Sequence, residues 1–203
     1  MAVAAILVAG CSNKEAGNPT GTPGGGTGSQ PTGSTSTSNS GGSGDAPKVN
    51  DPLDASRFVG QPCSALAPAQ LQELHLPAQG KPDTDSEVAK NSGPSCSWFD
   101  RDAGSGVGVG FLTANKNGLA DTYRLNAQGR FKQGYFEPTD VAGFPAVFND
   151  IQDGRSDGSC NITVGISDTS EFRVGVQDTK LGQQSCDRAK QAAAAVIKTV
   201  KGA

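Results

Sequence analysis

Between Ser12 and Asn50 the chain has almost nothing to bury. Of these 39 positions 27 are Gly, Ser, Thr or Pro, none is aromatic, and Ala16, Ala46 and Val49 are the only apolar side chains. Such a stretch cannot offset the entropy lost on ordering, so it is expected to be a disordered linker. A core must therefore come from Asp51 to Ala203, where nearly all the aromatic and branched side chains lie. A chain of that size buries about 70% of the surface its unfolded form exposes, enough for one core. The net charge is −3 and no run of basic residues occurs, which weighs against a nucleic acid partner. No stretch of 18 apolar residues is present that could span a bilayer as a mature helix.

The segment before the linker, "MAVAAILVAG", is a short apolar run ending in small residues, the form of a signal peptide and its cleavage site. Its end, "VAGC" (8–11), resembles the bacterial lipobox: a branched aliphatic, two small residues and a cysteine. The resemblance implies that Cys11 is lipidated and that the bond before it is cut. The expected organisation is a lipoprotein signal peptide over 1–10, the lipidated cysteine and linker over 11–50, and one domain over 51–203. No Lys or Arg precedes the apolar run, so the basic start of the signal is expected upstream of this Met1. A Gly-rich linker of this length has an end-to-end distance of about 35 Å. Stretched, it reaches on the order of 130 Å. The location expected is the outer face of the cell membrane, extracytoplasmic and lipid-anchored.

Four further cysteines remain: Cys63, Cys96, Cys160 and Cys186. An even number in an exported chain points to two disulfides, for which three connectivities exist. We expect Cys63–Cys96 and Cys160–Cys186, each joining the start of a helix to a nearby strand. The spacing does not suit zinc, since no CxxC occurs and His75 is the only histidine.

The remaining pattern is mixed. "PCSALAPAQLQELHL" (62–76) predicts a helix with Leu71 and Leu74 facing the core, and "NGLADTYRLNAQG" (117–129) predicts another, capped by Asn117. Residues 96–100 and 106–114 read as strands, the second alternating Val107, Val109 and Phe111 with glycine. That bare face invites a tightly packed helix or a ligand. "VAGFPAVF" (141–148) reads as a turn feeding a strand. Cys160, Ile162, Val164 and Ile166 share one face of a strand, and Phe172, Val174 and Val176 repeat the pattern after "SDTS", which predicts an antiparallel hairpin. "SCDRAKQAAAAVIKTVKG" (185–202) predicts a long helix capped by Ser185, with Ala189, Ala192, Val196 and Val200 on its buried face. The fold class expected is α+β, an antiparallel sheet with helices packed on one side and two disulfides.

"PCSALAPAQLQEL", "CSW", "VAGFPAV", the strand beginning at Cys160 and the helix opening "SCDRA" occur in an order that resembles an actinobacterial lipoprotein family catalogued as Domain of Unknown Function 3558. The resemblance covers roughly residues 51–200 and implies an envelope lipoprotein, with no reaction. Ala67 departs from it, standing where relatives often have a capping Ser or Thr, a loss of about 1 kcal/mol.

Chemistry is sparse. His75 sits beside Leu74 and Leu76 in the expected helix, no GxSxG occurs, and "GSGVGVG" (104–110) runs into a strand rather than a helix, unlike a nucleotide loop. "DTDSE" (83–87) lacks the glycine and distal glutamate of a calcium loop. No catalytic residue, metal ligand or cofactor is expected, and the chain is read as no enzyme. The expectation is a monomer, held to the membrane by Cys11, whose domain is a non-catalytic binding module for a small ligand caught between sheet and helices. The alternative is an accessory protein that touches another envelope protein through loops 81–95 and 149–159.

Overall fold

The computed structural model describes residues 46–203. Cys11, the signal segment and the linker up to residue 45 lie outside the described residues. Seven strands make one antiparallel sheet: β1 (Lys81–Asp83), β2 (Ser95–Asp100), β3 (Ser105–Phe111), β4 (Tyr135–Val141), β5 (Phe144–Asp150), β6 (Ser159–Ser167) and β7 (Ser170–Asp178). Across the sheet they run β1-β2-β3-β7-β6-β5-β4. The helices are α1 (Ser56–Gly60), α2 (Pro68–Glu73), α3 (Glu87–Ser92), α4 (Leu119–Ala127) and α5 (Ser185–Lys201).

The β6–β7 hairpin is the centre, and its period of two divides the sheet. Cys160, Ile162, Val164 and Ile166 on β6, with Phe172, Val174 and Val176 on β7, face inward and are all nearly or fully buried. Against them lies α5, whose Ala189, Ala192, Ala193, Val196, Ile197 and Val200 are buried. Small side chains on that stripe let the helix lie close to the pleat. Phe58 of α1 stacks on Phe111 of β3 with ring centroids 6.2 Å apart, and Leu66 and Leu71 join the same core. Both expected disulfides are present, Cys63–Cys96 and Cys160–Cys186. The second ties the start of α5 to β6, and beside it a largely buried ion pair joins Arg188 of α5 to Asp178 of β7 at 2.6 Å. Arg188 also donates to the Leu74 carbonyl at 2.9 Å.

The α+β class is as expected, with α1, α2 and α5 sharing the inner core. One helix lies elsewhere. The chain must pass from β3 to the far edge strand β4, and α4 is carried across the outer face on that crossover. Leu119 of α4 covers Gly165 of β6, where a Cβ would come within 3.1 Å of the Leu119 Cβ. Tyr123 meets Phe136 of β4 edge-on at 4.9 Å, fixing the other end.

Several boundaries differ from the sequence reading. The expected helix over 62–76 is a 3-10 turn (Pro62–Ala65) followed by α2. Ala67 precedes Pro68, which forces it into an extended conformation (φ −72°, ψ 155°) and splits the helix. No side chain caps the start of α2, but Gln70 Oε1 reaches back to accept from the Ala67 N–H at 2.7 Å. His75 is not mid-helix but just past the end of α2, with a positive φ of 51°. Asn117 is not the cap of α4. Gly118 holds that place with φ 51°, and Asp121 reaches back to accept from the Asn117 N–H at 3.0 Å. Ser185 opens α5 without a side-chain cap bond, its hydroxyl buried and unpartnered among the described residues. The acidic run 83–87 is a helix entry: Asp83 accepts from the Ser86 hydroxyl at 2.7 Å, and Ser86 caps α3.

The Cys160–Cys186 bridge closes a span of 26 residues, so a Cys160→Ala/Cys186→Ala double variant should lose about 3 kcal/mol of stability. Urea unfolding measured by fluorescence of Trp98 checks this, and an unchanged midpoint would contradict it.

Candidate functional site

The contact between α5 and the β6–β7 hairpin leaves no room for a ligand. The residues of α5 that meet β6 and β7 are buried to 5% exposure or less, and the strand side chains beneath them are equally covered. The glycine face of β3 is not packed by a helix at Gly108, where a Cβ would meet nothing within 4 Å, while Gly106 is pressed against the Trp98 carbonyl and Phe99. A cavity of about 660 Å³ lies beside α1 and α2, lined by Phe58, Leu71 and Trp98. Two smaller ones lie at the end of β3, around the turn that leads into α4.

Two cavities of about 300 Å³ meet there. The first is walled by Leu53, Val59, Phe111 and Ile166, with Glu171, Asn115 and Lys116 as polar groups. The second lies over the outer face, between α4 and the sheet, and is more polar, with Arg130, Arg173, Asp150 and Thr163 in its lining. Leu112 and Asn115 border both.

Glu171 is placed by the first residues of β7. Phe172 must face the core, so its neighbour faces out, and the backbone is held where the Leu112 N–H donates to the Glu171 carbonyl at 3.2 Å. There α4 and the turn close over it, leaving the residue 3% exposed. Thr122 of α4 donates its hydroxyl to the carboxyl at 2.9 Å from Oε1 and 3.0 Å from Oε2. Asn115 donates its side-chain amide to Oε1. Among the described residues no Lys, Arg or His forms an ion pair with it. Arg173, two positions along, instead spends its guanidinium on Asn161 Oδ1 at 3.2 Å, the Asn149 carbonyl at 3.4 Å and Asp150 at 3.5 Å.

Burial therefore dominates the titration of Glu171 and pushes its carboxyl up to about 7. The bonds from Asn115 and Thr122 and the charge of Arg173 oppose this, while Asp121 adds to it. Asp121 itself goes the other way. Burial would raise it, but the backbone and side chain of Asn117 and the guanidinium of Arg124 outweigh that and hold it low.

The residues singled out in the sequence play other parts. Cys63, Cys96, Cys160 and Cys186 are all spent on disulfides, and Cys11 lies outside the described residues. The charged turn 149–159 satisfies itself, since Arg155 is clamped by Asp153 at 2.7 Å and Glu137 at 2.8 Å and covers the Tyr135 ring at 4.3 Å. Among the described residues no group of three His, Cys, Asp or Glu could hold a metal. Glu171, Asn115 and Thr122 were not foreseen. They stand 49 and 56 residues from one another in pairs with Glu171, and no local spacing joins them.

A family model described as "Protein of unknown function (DUF3558)" matches residues 6–199. No curated protein and no solved structure matches the chain.

The raised carboxyl carries a signed pH dependence. Its ordinary value is 4.5, so between pH 4.5 and about 7 the folded state holds a proton that the unfolded state has released. Stability from this group is present below pH 4.5 and lost as pH rises through 7, by about 3 kcal/mol in all. Glu171→Gln removes the charge and can still accept from Asn115 while turning its amide toward the Thr122 hydroxyl. Thermal melts should show the variant gaining on the natural protein as pH goes from 5 to 8. Parallel curves would contradict the burial of an ionisable carboxyl.

Proposed function

The chain belongs to the DUF3558 family of proteins of unknown function, and from that premise we propose a lipid-anchored, extracytoplasmic envelope lipoprotein whose domain is a non-catalytic binding module. Two disulfides in a small domain are consistent with an oxidising, extracytoplasmic setting. Among the described residues no helix is long and apolar enough to cross a membrane. The proposal gives attachment to Cys11, and the family match, which starts at residue 6, takes in that cysteine. One acyl chain holds a protein only marginally, whereas two or more hold it stably, as a lipidated N-terminal cysteine requires.

The observation that carries the binding role is Glu171. A carboxyl buried to 3% exposure beside a cavity of about 300 Å³, without an ion partner, is costly to keep for the fold alone. The pocket combines apolar walls with a few convergent polar groups, the usual composition of a small-molecule site. The proposed seat is the first cavity, at the end of the sheet, rather than the filled space under α5.

A second reading has its own support. Val88 in segment 81–95 and Ile151 in segment 149–159 are large apolar side chains that are 69% and 45% exposed. In this version they contact another envelope protein.

Two measurements test the proposal. In the native host, Cys11→Ser should move the protein from the membrane fraction to the soluble one. Retention in the membrane would refute the anchor. Native mass spectrometry of the full chain should show extra mass that is lost on denaturation. Leu112→Trp, which places a large ring between the two cavities, should abolish it. A bare chain would favour the partner reading.

A further inference from the structure

Resting on the first cavity as the ligand site, we infer that its ligand is a hydrophobic primary or secondary amine, the ammonium seated on the Glu171 carboxylate and the hydrocarbon body against Leu53, Val59, Phe111 and Ile166.

The argument starts from what the carboxyl lacks. Its two hydrogen-bond donors, the Asn115 amide and the Thr122 hydroxyl, are neutral. The charged groups around it come from each element that packs there: Asp121 on α4, Arg173 on β7, and Asp54 and Lys116 on the cavity rim. Neither cation pairs with it. Arg173 is held by Asn149, Asn161 and Asp150, and Lys116 sits exposed on the rim, donating to the Thr113 carbonyl at 2.7 Å. Asp121 adds negative potential at the carboxyl.

An incoming anion would meet this potential, against which the exposed Lys116, screened by water, offers little. A neutral ligand would leave the carboxyl to keep its proton. Only a cation recovers the Coulomb energy that a buried carboxylate forgoes, and with Glu171 only 3% exposed that attraction is weakly screened. The walls then select the rest of the molecule. They are aliphatic and aromatic, so the charge must be carried on an apolar body, and the volume of about 300 Å³ confines that body to a small one.

The proton balance is explicit. At pH 7 about half of the sites carry a proton on Glu171, given a value of about 7. When an alkylammonium ion binds, that proton leaves to solvent, and the N–H of the ligand donates to the carboxylate in its place. No covalent bond is made or broken.

The test is calorimetric titration of the full-length, oxidised protein with n-hexylamine and with n-hexanol. Hexylamine should bind at least tenfold more tightly at pH 8 than at pH 5.5, following ionisation of the carboxyl. At pH 8 it should also bind at least tenfold more tightly than hexanol. At pH 7, buffers of different ionisation enthalpy should report release of about half a proton per amine bound. Glu171→Gln should erase both the preference for amine over hexanol and the proton release. If that variant does not fold, proton release by the natural protein decides the matter alone. Equal affinity for the two probes, with no proton released, overturns the amine assignment and leaves the cavity as the site. If neither probe binds, the cavity reading itself is overturned.

Discussion

Along β7 the side chains Phe172, Val174 and Val176 turn toward α5, while Glu171 and Arg173 turn the other way. The rest of the molecule follows from how each side is covered. The inward set is matched by Val176 against Cys160, Val174 against Ile162 and Phe172 against Val164 across the hairpin. Together with α5 it forms a dry interior in which a period-two surface meets a stripe of small residues. The outward set cannot be covered in the same manner. It mixes Glu171, Arg173, Asn161 and Thr163, so whatever closes over it must bring hydrogen bonds. The crossover into α4 does so at one end, with Thr122 and Asn115 on Glu171. Toward β2 and β3 nothing covers it, and Gly108 is left bare.

The same asymmetry explains why the cavities are where they are. Helix α5 is pinned at its start by Cys160–Cys186 and by Arg188 on Asp178, and its contact with β6 and β7 is fully buried. The outer layer is made from a turn and a nine-residue helix. It reaches the sheet through Leu119 on Gly165 at one end and Tyr123 on Phe136 at the other. Between these supports the turn 112–118 arches over β7, and Glu171 is enclosed without being matched by a cation. The segment that leaves the linker supplies the opposite wall: Lys48 and Val49 already contact Asp168, and Leu53 donates its N–H to the Ile166 carbonyl at 2.7 Å.

What the sequence revealed depended on the strength of its periodicity. The β6–β7 hairpin and α5 are regular over nine or more residues, and their buried faces were legible, although Ala193 and Ile197 of α5 were missed. The disulfide pairing was legible because each bridge joins a helical start to a strand. Short or interrupted elements were not. β1 has three residues, and β4 carries Pro138 in its middle, which an edge strand tolerates but a pattern search reads as a break. The split before α2 was readable in principle, because a residue preceding proline avoids the helical region, yet the leucine spacing argued for continuity. The site was not legible at all. Glu171 looks like an exposed acid at the start of a strand. Only the crossover that brings α4 over the sheet converts it into a buried one. Arg173 two residues on looks like its partner, but faces Asp150 and Asn161 instead.

The proposed ligand site at the end of the sheet rests on a carboxyl kept from water and without an ion partner among the described residues. The most direct measurement is a carbon-detected NMR titration of the Glu171 side-chain carboxyl in the full-length protein with both disulfides formed. The account predicts a midpoint near 7. A midpoint at the ordinary value of 4.5 would mean that water reaches the carboxyl freely, and the enclosed site described here would not exist.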